Sequence, residues 1–221
     1  MSNWSGRLPT NALTLLCGPS CVGKSLVTLD LAARLTTQRP LPLETVGDSF
    51  PWGVLLLNKW DTPAEVCWRI HRMGAQLDLV HMNTHEHSFE DMLKTLCTTS
   101  LVPDMHIRLI VIDPIDELVI TEATHSNLDV RKALEPLMAL MGVYAGLQVI
   151  GVHCTSKNPR GLKSTATALA ARSVLYIEDT NAYQGTHVLK HIKSSTSCLQ
   201  PDLAFKIANV NGDEDTIQVI W

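Results

Sequence analysis

The chain has 221 residues, 45% hydrophobic and 18% charged, which suits one domain with a sizeable core and is short for two. A net charge of -4 with a pI near 6.1 excludes a globally basic nucleic-acid binder, so any contact with a phosphate backbone has to come from a local patch. The six cysteines (Cys17, Cys21, Cys67, Cys97, Cys154 and Cys198) show no CxxC or Cys/His spacing, so reduced thiols in a cytoplasmic protein are expected, not disulfides or a zinc site.

The opening MSNWSGRLPT lacks a charged-then-apolar leader pattern, and no apolar run approaches the ~20 residues of a membrane span, so a soluble chain is expected. From there, strand-length apolar runs (ALTLLCG, GVLLLN, IRLIVID, LQVIGVH, SVLYIED) alternate with stretches of helical periodicity (SLVTLDLAARL, PAEVCWRIHRMG, DVRKALEPLMALMG). That rhythm predicts an α/β fold with a mainly parallel sheet flanked by helices. After about residue 186 it gives way to HVLKHIK, LAFKIANV and DTIQVIW, three short strand-like segments that predict an antiparallel extension at one sheet edge. The longest loops expected are TQRPLPLETVGDSFPWG and ITEATHSNL.

The strongest chemical signal is GPSCVGKS, which matches GxxxxGK[ST] between a predicted strand and a predicted helix. Gly18, Pro19, Ser20, Cys21, Val22 and Gly23 would turn backbone N–H groups toward phosphates, and the helix start at Lys24, Ser25 and Leu26 would add its dipole. Lys24 would reach the β- and γ-phosphates of ATP, and Ser25 would bind Mg²⁺. Asp113, ending the apolar strand IRLIVID, is the candidate to hold Mg²⁺ through a water opposite Ser25. The bland alternatives are a chance glycine-rich turn and a strand-end aspartate opening a turn before Pro114. Cys21, among loop amides and beside Lys24, is either a thiol of lowered pKa or a small filler.

Beyond these motifs, the order GPSCVGKS, GVLLLNKWDTPAEVCWRI, GAQLDLVH, LIVIDPIDEL, SNLDVRKALEPLMAL, VIGVHCTSK, STATALAARSVLYIE and LAFKI resembles the RecA-like ATPases. Within them it is similar to the group of plasmid RepA-type hexameric helicases and mobile-element AAA ATPases, over about residues 10 to 207. The resemblance implies a single RecA-like P-loop NTPase domain spanning 1–221, ATP and Mg²⁺ as cofactors, a homo-oligomeric ring or filament, and single-stranded DNA as a partner. It implies that His153 is a sensor near the γ-phosphate, where the alternative is a satisfied strand-end histidine. Lys157, Arg160 and Lys163 occupy the place of a DNA-contacting loop, or else form a solvated turn. Arg172 and Lys193 match positions that present cations to a neighbouring subunit's nucleotide, although surface cations are common.

One departure stands out. The family commonly reads Ser-Ala-Glu-Asp-Asp after its second strand, with the glutamate polarising the attacking water; here Asn58-Lys59-Trp60-Asp61-Thr62 puts Trp60 at the glutamate position. An indole offers only an N–H donor and cannot accept a proton from water. Three readings stay open. Asp61 orients the water, although a one-residue step along a strand points to the opposite face. Asp116 or Glu117 supplies the carboxylate instead. Or ATP is bound and hydrolysed poorly, as an assembly switch. His153-Cys154-Thr155-Ser156-Lys157 and Lys163-Ser164-Thr165-Ala166 also depart from the family's His-His-x-Asn-Lys and Gly-Ser-x-Ala patterns, which favours specialised or reduced catalysis. A small-molecule phosphotransferase is a further rival, but no arginine-rich lid segment follows the core.

Overall fold

In β1 (Ala12–Gly18) every residue is buried, with Leu13, Leu15 and Cys17 joining one apolar cluster and Leu16 the other. The same alternation runs through β2 (Gly53–Asn58) and β4 (Ile107–Asp113), where Leu55, Leu57, Ile110 and Ile112 face one layer and Val54, Leu56, Leu109 and Val111 the other. Strands buried on both faces read as continuous apolar runs, which explains why the sequence shows no polar alternation here. The computed structural model describes residues 4, 6–83, 88–98, 101–119, 127–155, 159–162, 165–181, 186–209 and 217–221.

With β3 (Val80–Met82), β5 (Gln148–Cys154), β6 (Ser173–Asn181), β7 (Thr186–Ser194), β8 (Leu203–Asn209) and β9 (Ile217–Ile220), these strands form one sheet in the order β3-β2-β4-β5-β1-β6-β7-β8-β9. Pairing is parallel from β3 through β6 and antiparallel from β6 to β9, as expected for a mainly parallel core with a C-terminal antiparallel extension. One face carries α1 (Lys24–Thr36) and α2 (Pro63–Arg72). The other carries α3 (Phe89–Thr98), α4 (Leu101–Asp104), α5 (Asp116–Val119), α6 (Asn127–Ala133), α7 (Glu135–Val143), α8 (Pro159–Leu162) and α9 (Ala166–Ala170). Among the described residues, no helix is long and apolar enough to cross a membrane.

The expected helix across DVRKALEPLMALMG is two helices, α6 and α7, meeting at Leu134. Pro136 is the cause: its ring is tolerated in the first turn of a helix but clashes with the preceding turn inside one. Strand β3 and helices α3 and α4 were not anticipated; β3 and α4 are short, whereas Phe89, Met92, Leu93, Leu96 and Cys97 give α3 a helical period that was open to reading. The first long loop carries no regular structure over 37–52, while 120–126 of the second lie outside the described residues.

The C-terminal strands brace the phosphate loop. Trp221 Nε1 donates to Asp30 Oδ2 of α1 at 2.6 Å, and the Trp221 ring packs against Phe205 of β8 and Trp4. Gly23, which caps α1 at φ 82°, lies against Ile207 of β8 so closely that an added Cβ would collide with the Ile207 Cδ1 atom. Gly23→Ala is therefore expected to destabilise the fold by ~1–3 kcal/mol through strained backbone and clash together. Adding Ile207→Val removes the colliding methyl and should restore part of that loss in urea denaturation; an additive double mutant would show that the clash contributes nothing.

Candidate functional site

The carboxyl ends of β1, β2, β4 and β5 converge, and they carry the phosphate loop, Asn58, Asp113 and His153. Register places Cys17 beside His153 and Asn58 beside Asp113, with β5 between β1 and β4. His153 thus stands between the loop that follows Gly18 and the Asp113 carboxylate, in the crevice where open α/β sheets bind ligands.

The 18–25 loop wraps Lys24, which is buried and donates to the carbonyls of Gly18 (3.2 Å) and Pro19 (2.5 Å). Cys21 adopts a left-handed φ of 62° at an exposed position. Ser20 Oγ lies 3.1 Å from Cys154 Sγ, and Thr155 N donates to Gly18 O, so the end of β5 holds the loop's outer turn. Cys17, buried behind the loop, has its thiol pushed up to about 12 by burial, then by the charge of Asp116, with Lys24 opposing; it is an inert packing residue.

Ser25 hydrogen-bonds the Asp113 carboxylate. Burial pushes the Asp113 pKa up; the Ser25 bond and the Lys24 charge oppose this, and Asp61 and Asp116 add to it. Ser25, Thr28, Asn58, Asp61 and Asp113 line one small cavity of about 10 Å³, close to the space of a single water-sized occupant. A hydroxyl and two carboxylates around such a space form a hard-oxygen donor set that fits Mg²⁺. The loop, with Lys24 and the unpaired N–H groups of the first turn of α1, fits a polyphosphate.

The stretch after β2 is decided by Asn58. Its Oδ1 accepts from the N–H groups of both Trp60 (2.9 Å) and Asp61 (2.8 Å), an Asx turn that ends the strand at once. Asn83, just past β3, clamps the Asn58 backbone, accepting from its N–H (2.8 Å) and donating to its carbonyl (3.1 Å). Thr62 and Glu65 then form a reciprocal capping box that starts α2. The consequence is that Trp60 points out, 74% exposed, while Asp61 folds back to the cavity it shares with Ser25 and Asp113. The objection from strand alternation does not hold, because no strand continues past Asn58. Arg69 Nη1 holds Asp61 Oδ2 at 2.8 Å, leaving Oδ1 without a partner among the described residues.

The other carboxylates are engaged elsewhere. Asp116 Oδ1 is 2.7 Å from His153 Nδ1, which fixes the imidazole and leaves its Nε2 outside that bond. Glu117 pairs with Lys59 at 3.5 Å, an exposed ion pair of little energetic weight. Arg160 is exposed on α8, while Lys157 and Lys163 lie outside the described residues. Arg172 and Lys193 are not in this crevice: the Arg172 N–H donates to Leu13 O at the opposite end of β1, and Lys193 Nζ donates to the carbonyls of Ala168 (2.6 Å) and Ala171 (2.7 Å), capping α9. Asn58, Asn83, Arg69, Cys154 and Ile207 carry the site's geometry and were not singled out from the sequence. The capping box Thr-Pro-Ala-Glu at 62–65 is the signal that would have shown the strand ending before Trp60.

Because folding raises the Asp113 pKa, its ionised form burdens the empty fold at pH above the folded value, and the burden fades as pH falls below the ordinary carboxylate range. Asp113→Asn is expected to raise the urea midpoint near pH 8 without Mg²⁺, with the gain shrinking toward pH 4. Mg²⁺ with nucleotide should stabilise the wild type and not the variant. A variant less stable at pH 8 would show that the Ser25 and Lys24 contacts outweigh the dehydration.

A family profile described as an AAA domain matches residues 2–160, which takes in the phosphate loop, the Asx turn, Asp113 and His153 and stops within α8, before β6 to β9. No curated protein matches the chain. With the P-loop crevice in place at the carboxyl ends of a mainly parallel sheet and the profile covering most of the chain, this protein belongs to the AAA domain family of nucleotide-binding P-loop ATPases.

Proposed function

We propose that the chain hydrolyses Mg·ATP at this crevice, with Asp61 taking the part of the missing glutamate, and that it does so as a homo-oligomer acting on DNA in replication or recombination of a mobile element. The observation that carries the reading is the Asn58 turn, which delivers Asp61 to the cavity of Ser25 and Asp113 and sends Trp60 outward. In this reading the loop amides and Lys24 hold the β- and γ-phosphates, and Ser25 with Asp113 holds the metal. Mg²⁺ would neutralise charge developing on the phosphate oxygens. Asp61 Oδ1, its partner oxygen restrained by Arg69, accepts a hydrogen bond from water and aligns it. His153, oriented by Asp116, donates from Nε2 toward the γ-phosphate. The DNA role rests on the resemblance and on Arg160, with Lys157 and Lys163 as further candidates, and it fits a chain whose global charge provides no such attraction.

A second reading is an ATP-dependent assembly switch with little turnover. It is favoured by the Arg69 ion pair on Asp61 and by an exposed tryptophan beside the nucleotide crevice, a residue type enriched at interfaces.

Steady-state phosphate release from Mg·ATP, with and without single-stranded DNA, separates the two. Hydrolysis predicts release that Lys24→Ala abolishes, that Asp61→Asn lowers by ~10²-fold or more with ATP still bound, and that Trp60→Ala leaves within a few-fold. Release no higher than that of Lys24→Ala, alongside ATP-dependent oligomerisation, establishes the switch. Full activity in Asp61→Asn rejects the assignment of that carboxylate.

A further inference from the structure

At the end of the sheet opposite the phosphate loop, a cavity of about 580 Å³ is lined by Arg131, Lys132, Met138, Leu169, Arg172 and Lys193, with Glu135 its only carboxylate among the described residues. Its place follows from topology: Arg172 is bonded to Leu13 at the start of β1, about 16 Å of strand away from Gly18 at ~3.3 Å per residue. It is therefore a different site from the crevice.

Charge is the anomaly. In a chain with 18 cations and 22 carboxylates, four cations gather around one concavity with one acid among the described residues. Four cations elsewhere are paired with acids: Arg34 with Asp30, Lys59 with Glu117, Arg69 with Asp61, Lys190 with Glu178. Arg131, Lys132 and Arg172 have no acidic partner among the described residues. Lys193, bound to the α9 carbonyls, has its pKa lowered by burial and then by the Arg172 charge, so the cluster repels itself. An anion in the cavity would relieve that repulsion.

The walls narrow the chemistry further. Met138 and Leu169 are 43% and 49% exposed within the same cavity, an apolar surface beside the cationic rim. The volume is that of a small-molecule site, and the cations converge on one hollow instead of tracking an extended groove. We infer that this cavity is a second anion site that takes a free nucleotide-sized phosphate ester, its phosphates on Arg131, Lys132 and Arg172 and its flat body against Met138 and Leu169. Arginine suits this task because its planar fork donates two parallel hydrogen bonds to phosphate oxygens.

The test uses the full chain carrying Lys24→Ala, which disables the first site, titrated with a fluorescent ADP analogue. The expectation is saturable binding of one probe per chain, weakened at least tenfold by added Arg172→Glu and by added Arg131→Glu, and displaced by unlabelled ADP or pyrophosphate. Far-ultraviolet circular dichroism and the urea midpoint confirm that each variant folds. The two exposed arginines sit on different elements, so one failed fold leaves the other readable. Absence of binding to the Lys24→Ala chain, or binding indifferent to both charge reversals, overturns the inference. Displacement only by single-stranded oligonucleotides, growing tighter with length, also overturns it, and assigns the cations to nucleic acid. A third overturning result is an intact first site whose turnover needs Arg172 contributed by a second chain, shown by mixing Lys24→Ala with Arg172→Glu chains. Because the probe is read on a chain without a working phosphate loop, this result is independent of whether the first site hydrolyses ATP.

Discussion

A sheet covered by helices on both faces leaves polar chemistry nowhere to go except the strand ends, and that constraint organises this molecule. Leu13 through Cys17, Leu55 through Leu57 and Leu109 through Ile112 are buried in two apolar layers, so a charged side chain within those runs would be stranded without water. Gly18, Asn58, Asp113 and His153 are the first residues free to serve ligands, and the parallel pairing brings all four to one edge. The antiparallel strands β7 to β9 add a brace: Ile207 meets Gly23, and Trp221 ties the chain end to Asp30 of α1.

Within the crevice, each carboxylate has a distinct environment, and the division of labour follows from that. Asp113 is dehydrated, bonded to Ser25 and near two other acids, so its ionised form lacks a full counter-charge. Asp116 is committed to the His153 ring and Glu117 to the surface. Asp61 alone borders the Ser25–Asp113 cavity with an oxygen free among the described residues. The substitution of tryptophan for glutamate is thus not a simple deletion of a carboxylate. The Asx turn at Asn58 places the next carboxylate along, Asp61, at the Ser25–Asp113 cavity and exposes the indole.

The uneven charge distribution gives the two ends of the sheet different chemistry. At one end, a single buried lysine is folded onto its own loop carbonyls, waiting for a better acceptor. At the other, several cations surround a hollow with one acid among the described residues, and a lysine is used to cap a short helix. A net charge of -4 averages over these and describes neither.

Local chemistry made much of this legible in the chain itself. The apolar runs have strand length because they are buried on both sides, GPSCVGKS carries its own geometry in two glycines and a lysine, and the polar turns after residue 186 mark the switch to antiparallel pairing. Pro136 could have divided α6 from α7 in advance, and Thr62 with Glu65 could have ended β2 before Trp60. What no local pattern could supply were contacts between segments distant in sequence: Asn83 on Asn58, Asp116 on His153, Ile207 under Gly23, and the gathering of Arg131, Lys132, Arg172 and Lys193 around one cavity. Sequence by itself determined the strands, the phosphate loop and the candidate acids, because each depends on neighbours a few residues away. Only the tertiary structure decided which acid borders the Ser25–Asp113 cavity and which cations share a hollow, because those depend on how strands and helices pack across the sheet.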